Sequence, residues 1–262
     1  MGLITPTDQS VLAFKGLHLY HAGVSNCSMR VRITLEEKGL PWTSHHLNIV
    51  KKEHITPDYF GINPNGLVPT LVHDGKVIIE SDDIIEYLDK TFEEPSLRPK
   101  DGPEREYMES WLHRATAIHM KAVKTHIYEK RMRGKMTQSG EEKAQYEKLQ
   151  KNESLLEFHR KSANGEFTQQ ELDQAKAVLD QSFADLEAAL EGREWLAGDQ
   201  FSLADIAWVP LFFTLRVLAG YSFDGLVNTA AWAERIEGRS SYKKAVLDWW
   251  PQTMTPMNEK SA

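Results

Sequence analysis

All the β-structure signals in this chain lie between Leu17 and Glu80, and everything after Pro103 reads as helix. That division dictates an α/β unit followed by an all-α unit. Leu17–His21 reads as a strand. A helix follows from about Ser25 to Lys38, with Met29, Ile33 and Leu35 at roughly helical spacing and Gly39 as its C-cap. Pro41-Trp42 turns the chain into a strand near residues 43–49, and a short helix is expected around Pro57–Gly61. Asn63-Pro64-Asn65-Gly66 is a turn that leads into a hairpin closed by Asp74-Gly75. Ser81 is placed to cap a helix whose first turn carries Asp82 and Asp83. The order is β-α-β-α-β-β-α, ending near Lys90. Pro69 interrupts a strand start, where a proline cannot donate to the ladder; it marks an edge or a special backbone geometry such as a cis bond.

Residues 1–16 read as a flexible leader, 17–91 as the α/β unit, 92–102 as a linker and 103–262 as the helical unit. In the last of these, residues 103–135 form one long helical pattern through Tyr107, Trp111, Ala115, Ile118, Ala122 and Ile127. Residues 138–153 are polar and expected to be exposed, and a helix is expected near 154–162. Thr168-Gln-Gln-Glu171 is a capping box opening a helix to about Leu190, and Ser202-Leu-Ala-Asp205 is a second. The helix behind Ser202 is almost wholly apolar and should be the buried centre of this unit, with Trp208, Phe212 and Arg216 core by pattern. Two more helices are expected near 228–236 and 241–249.

The chain has 262 residues, ample for a sizeable core, and a net charge of −7, which disfavours a nucleic-acid partner. No apolar run is long enough for a membrane span, and the start lacks a secretory pattern. A single cysteine excludes an internal disulfide framework and cysteine-based metal sites, and suits a reducing cytoplasm.

Chemistry concentrates at the junction Ser25-Asn26-Cys27-Ser28, where a loop enters a helix. A helix N-terminus offers free N–H groups and partial positive charge, which hold an anion or lower a thiol's pKa. The thiolate stabilised there is either that of Cys27 or one brought by a ligand. Ser25 is equally an N-cap, and Cys27 equally a small buried hydrophobe. Arg30 and Arg32 read as a solvated face or an interdomain salt bridge. His119 and His126, seven apart, would share a helix face; no carboxylate or cysteine completes a metal set with them.

Three motifs in order carry a family resemblance: Asn63-Pro64 with Val68-Pro69-Thr70-Leu71; Glu80-Ser81; and Phe201-Ser202-Leu203-Ala204-Asp205-Ile206-Ala207. The chain resembles the soluble glutathione transferases over about residues 17–250. The resemblance implies a thioredoxin-like domain with a cis proline, followed by a helical-bundle domain. Ser25-Asn26-Cys27-Ser28-Met29-Arg30 is similar to the motif of zeta-class enzymes and of bacterial hydroquinone reductive dehalogenases. The long segment 136–170 also resembles those dehalogenases and the lignin β-etherase branch.

From the resemblance follow a set of expectations. Glutathione is the co-substrate, with Ser25 stabilising its thiolate. Val68 before Pro69 pairs with the cysteinyl part, and Glu80 and Ser81 hold the γ-glutamyl end; His54 and Lys51 or Lys52 either pair with the glycyl carboxylate or belong to a solvated loop. Cys27 is either a second actor, attacking a glutathionylated substrate, or a packing residue. A small, aromatic electrophile sits between the units near Trp111, His119 and Tyr128. The reaction is conjugation, β-ether or halide displacement, or reductive removal through Cys27. The alternatives are a zeta-like cis-trans isomerase of a maleyl-type acid and a non-enzymatic glutathione-binding module. A homodimer is also implied.

Overall fold

The computed structural model describes residues 2–100, 102–132, 140–252 and 254. Its N-terminal part is a five-stranded mixed sheet in the order β1-β5-β4-β2-β3. The strands are β1 (Leu3–Ile4), β2 (Leu17–His21), β3 (Trp42–His46), β4 (Thr70–His73) and β5 (Lys76–Ile78). β2 runs parallel to β3 and antiparallel to β4, with Leu19 opposite both Ser44 and Leu71. The helices of this part are α1 (Asn26–Glu37), α2 (Pro57–Ile62) and α3 (Ser81–Thr91).

One expectation is corrected at once. Residues 2–16 are not a loose leader, residue 1 lying outside the described residues: Leu3 and Ile4 pair with Ile78 and Val77, and Val11 is the buried residue of a short 3-10 turn over Gln9–Ala13. Free N–H and C=O groups on the edge strand β5 are what this segment satisfies.

The helical part comprises α4 (Pro103–Ile118), α5 (Thr125–Ile127), α6 (Gly140–Leu149), α7 (Glu153–Asn164), α8 (Gln169–Ala189), α9 (Leu203–Ala219), α10 (Val227–Glu237) and α11 (Ser240–Ala245). Both expected capping boxes form, at Thr168/Glu171 and Ser202/Asp205. α9 is buried along its length except at Arg216, which pairs with Glu237 at the surface. Two details depart from the sequence reading. The last expected helix breaks at Val246, leaving a short 3-10 turn over Leu247–Trp249. The long helix after Pro103 is α-helical only to Ile118. It then widens into π-helix over His119–Lys124, returns to α over α5, and widens again over Tyr128–Met132; residues 133–135 lie outside the described residues.

α1 sits between the sheet and the helical part, packed on α3, α9 and α11. This overturns the solvated reading of Arg30 and Arg32, whose residues are 1% and 0% exposed. Arg30 Nε donates to Ala207 O of α9 at 3.1 Å, and Arg32 Nε donates to Ala245 O of α11 at 2.7 Å. They do join the two parts, but through backbone carbonyls rather than through a salt bridge. A helix surrounded on all sides must bury its polar positions, and guanidinium's fan of donors lets a carbonyl-rich environment satisfy it.

Candidate active site

Ser25 caps α1: its Oγ accepts from Ser28 N–H at 3.2 Å, so its own hydroxyl proton stays available to a ligand. Ser28 is fully buried, its Oγ accepting from Ala22 N–H, so it braces the loop from below. Ser25 and Cys27 are half-buried. Cys27 Sγ lies 3.7 Å from His119 Nδ1 on the first π-helical residue after α4. Burial first, and then the charges of Lys124 and Arg30, hold the His119 imidazole well below its usual pKa and so neutral. A neutral ring with Nδ1 unprotonated accepts a hydrogen bond from a thiol S–H.

Pro69 follows a cis peptide bond from Val68, and neither Val68 N–H nor its C=O forms a hydrogen bond among the described residues. The loop that presents them is fixed from behind: Tyr59 Oη and Asn63 Nδ2 both donate to Leu67 O, at 2.6 and 2.8 Å. Glu80 opens α3 with φ of +65°, a conformation costing a glutamate roughly 1–3 kcal/mol. Its side chain reaches solvent, yet desolvation, then Asp82 and Asp83, raise its carboxyl above the usual range. Ser81 is buried and accepts from Arg30 Nη1 at 3.3 Å; the same nitrogen donates to Thr116 Oγ1 at 3.1 Å. Arg30 Nη2 is buried without a partner. One guanidinium therefore ties α1, α3, α4 and α9 together beneath Ser81, within electrostatic range of Cys27.

His54 is half-buried with Nδ1 unpartnered, and burial, with Lys124 second, lowers its pKa to about 4. α6 and α7 lie over this side. Gln150 Nε2 donates to Asn65 O at 2.8 Å and Gln145 Nε2 to Ile55 O at 3.3 Å. Thus the polar stretch expected to be exposed is so only in part: Tyr146 and Gln150 are buried, because α6 docks on the loops around His54 and Asn65. Residues 138 and 139 lie outside the described residues.

Of the helical-part candidates, His119 joins the Cys27 group, and Tyr128 faces Phe158 of α7 at 5.5 Å between ring centroids. Trp111 does not join them: it is buried edge-to-face against Trp208, whose Nε1–H donates to Trp111 O. His126 also departs, packing on Tyr221, because π-helical turns rotate it off the face it would share with His119. Among the described residues no group of three or more His, Cys, Asp or Glu is placed to hold a metal, and no helix is long and apolar enough to cross a membrane.

Comparison with known proteins decides the lineage. The profile of the glutathione S-transferase N-terminal domain matches residues 19–96, and that of the C-terminal domain matches residues 116–240. The chain is 32% identical over 239 residues to Protein LigF of Sphingobium sp., covering 87% of this chain and 92% of that one. This chain belongs to the glutathione S-transferase family. The crystal structure of β-etherase LigF superposes with a TM-score of 0.78 at 28% identity, covering 87% of this transferase-family chain and 98% of the other. Glutathione S-transferase TCHQD of Arabidopsis thaliana is 29% identical over 244 residues, covering 88% of this chain and 89% of its own. The tetrachloro-p-hydroquinone reductive dehalogenase of Sphingobium chlorophenolicum is 24% identical over 242 residues, covering 88% and 96%. The fold expected from the motifs, a thioredoxin-like domain followed by a helical one, is the fold of this family.

Proposed function

We propose that this protein uses glutathione to attack a small aromatic electrophile. Ser25 Oγ–H donates to the glutathione thiolate at the α1 N-terminus, where the helix dipole adds to the stabilisation. The free backbone groups of Val68 pair with the cysteinyl part. Glu80 and Ser81 receive the γ-glutamyl ammonium and carboxylate, and His54 Nδ1 takes the glycyl carboxylate. The thiolate displaces an alkoxide or halide from carbon: a C–S bond forms and the leaving group departs with the bonding electrons. The observation that carries this reading is Ser25 as N-cap with a spare proton, on the helix that Arg30 ties to Ser81. Calorimetric titration with glutathione, for the wild type and for Ser25→Ala, tests it; absence of binding to the wild type would end it.

The Cys27–His119 contact favours a second reading. After a first attack has made an aryl–glutathione conjugate, Cys27 thiolate attacks its sulfur. The aryl carbon leaves with the electron pair and is protonated, and Cys27 is left in a mixed disulfide with glutathione. A second glutathione thiolate then releases Cys27 and glutathione disulfide. Mass spectrometry of the enzyme trapped during turnover of a halogenated hydroquinone would show the added glutathione on Cys27; turnover unchanged in Cys27→Ala would exclude this route. A cis-trans isomerisation of a maleyl-type acid has no such observation behind it.

A further inference from the structure

Lys124 closes the first π-helical stretch of the α4 region. In π-helix the hydrogen bonds run from i to i+5, so residues five apart lie one above the other. His119 and Lys124 are five apart and stand on one face, whereas an α-helix would have turned Lys124 away. His119 meets Cys27, so Lys124 is next in line along the same face. Lys124 is half-buried, yet it forms no hydrogen bond and no ion pair among the described residues. Its charge bears on His54, His119 and His159, all held neutral by burial, and on Glu80. A lysine that has given up part of its hydration, and whose charge reaches Glu80 without forming an ion pair with it, keeps the capacity to take a further anion.

The surroundings have a second character. Tyr146 Oη lies 2.6 Å from His159 Nδ1, and Tyr128 and Phe158 stand edge-to-face near them, so the side supplied by α7 is aromatic. Two further donors are buried without partners, His54 Nδ1 and Arg30 Nη2, and Arg30 acts on His119 from below. Lys124 and the ring of Tyr128 therefore both lie on the stretch of chain that continues from His119, the residue in contact with Cys27.

We propose that Lys124 determines specificity for the second substrate, selecting an aromatic compound that carries a carboxylate or phenolate. The anionic group lies at Lys124, the ring lies toward Tyr128 and Phe158, and the electrophilic carbon is left toward Ser25 and Cys27. This rests on the transferase reading above. It extends that reading by giving the electrophile a charge.

A matched pair of electrophiles tests it: chlorodinitrobenzene, which is neutral, and chlorodinitrobenzoate, its carboxylate. In Lys124→Met, KM for the benzoate should rise about tenfold to a hundredfold, while kinetics with the neutral compound and KM for glutathione stay within about twofold. Lys124→Arg should restore most of the loss. Calorimetry with the purified glutathione conjugate of the benzoate gives a readout without turnover, and its Kd should weaken by a similar factor. An equal loss for both electrophiles overturns the assignment. So does a raised KM for glutathione with either partner, which would give Lys124 to the glycyl carboxylate instead. If the wild type turns over neither compound, the transferase reading falls; the specificity assignment then stands only if Lys124→Met weakens conjugate binding, and falls if it does not.

Discussion

Cys27 Sγ and His119 Nδ1 lie 3.7 Å apart although 92 positions separate them in the chain. The first belongs to the opening turn of α1, the second to the point where α4 widens, so the pair exists only while both parts of the molecule stay docked. His119→Phe removes the ring nitrogen that holds the Cys27 sulfur in place and should slow alkylation of Cys27 by iodoacetamide at neutral pH by about twofold to fivefold. Glutathione binding should be unaffected. Mass spectrometry of time-quenched samples gives the rate, and an unchanged rate would reduce the contact to packing.

Ser25 has two tasks, and its removal should show both. Ser25→Ala should lower the folding free energy by about 1 kcal/mol through the lost cap. Turnover near pH 6.5 should fall about tenfold to a hundredfold, through the lost hydrogen bond to the thiolate. The turnover deficit should shrink toward pH 9, where solution glutathione ionises without help. Ser25→Thr should recover most of both. A deficit independent of pH would mean that Ser25 acts only as a cap.

Arg32 fixes the approach to that same turn. Its guanidinium donates to Ala22 O at 2.9 Å, Gly23 O at 3.0 Å and Ala245 O at 2.7 Å. Lysine cannot reach three carbonyls from one planar fork, so Arg32→Lys should cost about 2–4 kcal/mol of stability, measured by urea unfolding. A cost below about 1 kcal/mol would show that water replaces the lost donors freely.

Acid should loosen the fold before its carboxylates titrate. Burial, then the Arg32 charge, lowers the His21 pKa to about 3; burial lowers His159 to about 3 and His54 to about 4. In the unfolded chain each returns to about 6.5. Below that value the unfolded state binds more protons, so stability is full above it and is lost as pH falls toward the folded values. Each histidine contributes a slope of about 1.4 kcal/mol per pH unit, and the three together roughly 4 near pH 5. Urea midpoints between about pH 7 and pH 5 measure the slope, which His159→Gln should reduce by about a third.

The division into a mixed α/β part and a helical part was legible because hairpin turns, capping boxes and an apolar helix are local signals. Thr168/Glu171 and Ser202/Asp205 formed as read, since a capping box needs only four consecutive residues. Ser25 as a cap was legible for the same reason. Arg30 and Arg32 were misread because charge predicts exposure only for a helix with a free side, and α1 has none. The Cys27–His119 pair and the position of Lys124 were illegible. Helical periodicity assumes one constant pitch, and the π-helical turns of the α4 region break it without a proline or glycine to announce the change. His126 shows the cost of that assumption, since correct spacing on the wrong pitch placed it on the wrong face.

The first strand has a practical consequence. Gly2 O accepts from Ile79 N–H at 2.9 Å, and Ile79 immediately precedes Glu80. A methyl group built on Gly2 would come within 2.0 Å of Ile79 O. A purification tag fused ahead of Gly2 therefore emerges beside the residue assigned to the γ-glutamyl end. Kinetic constants taken from tagged and cleaved preparations should be compared before either is ascribed to the enzyme itself.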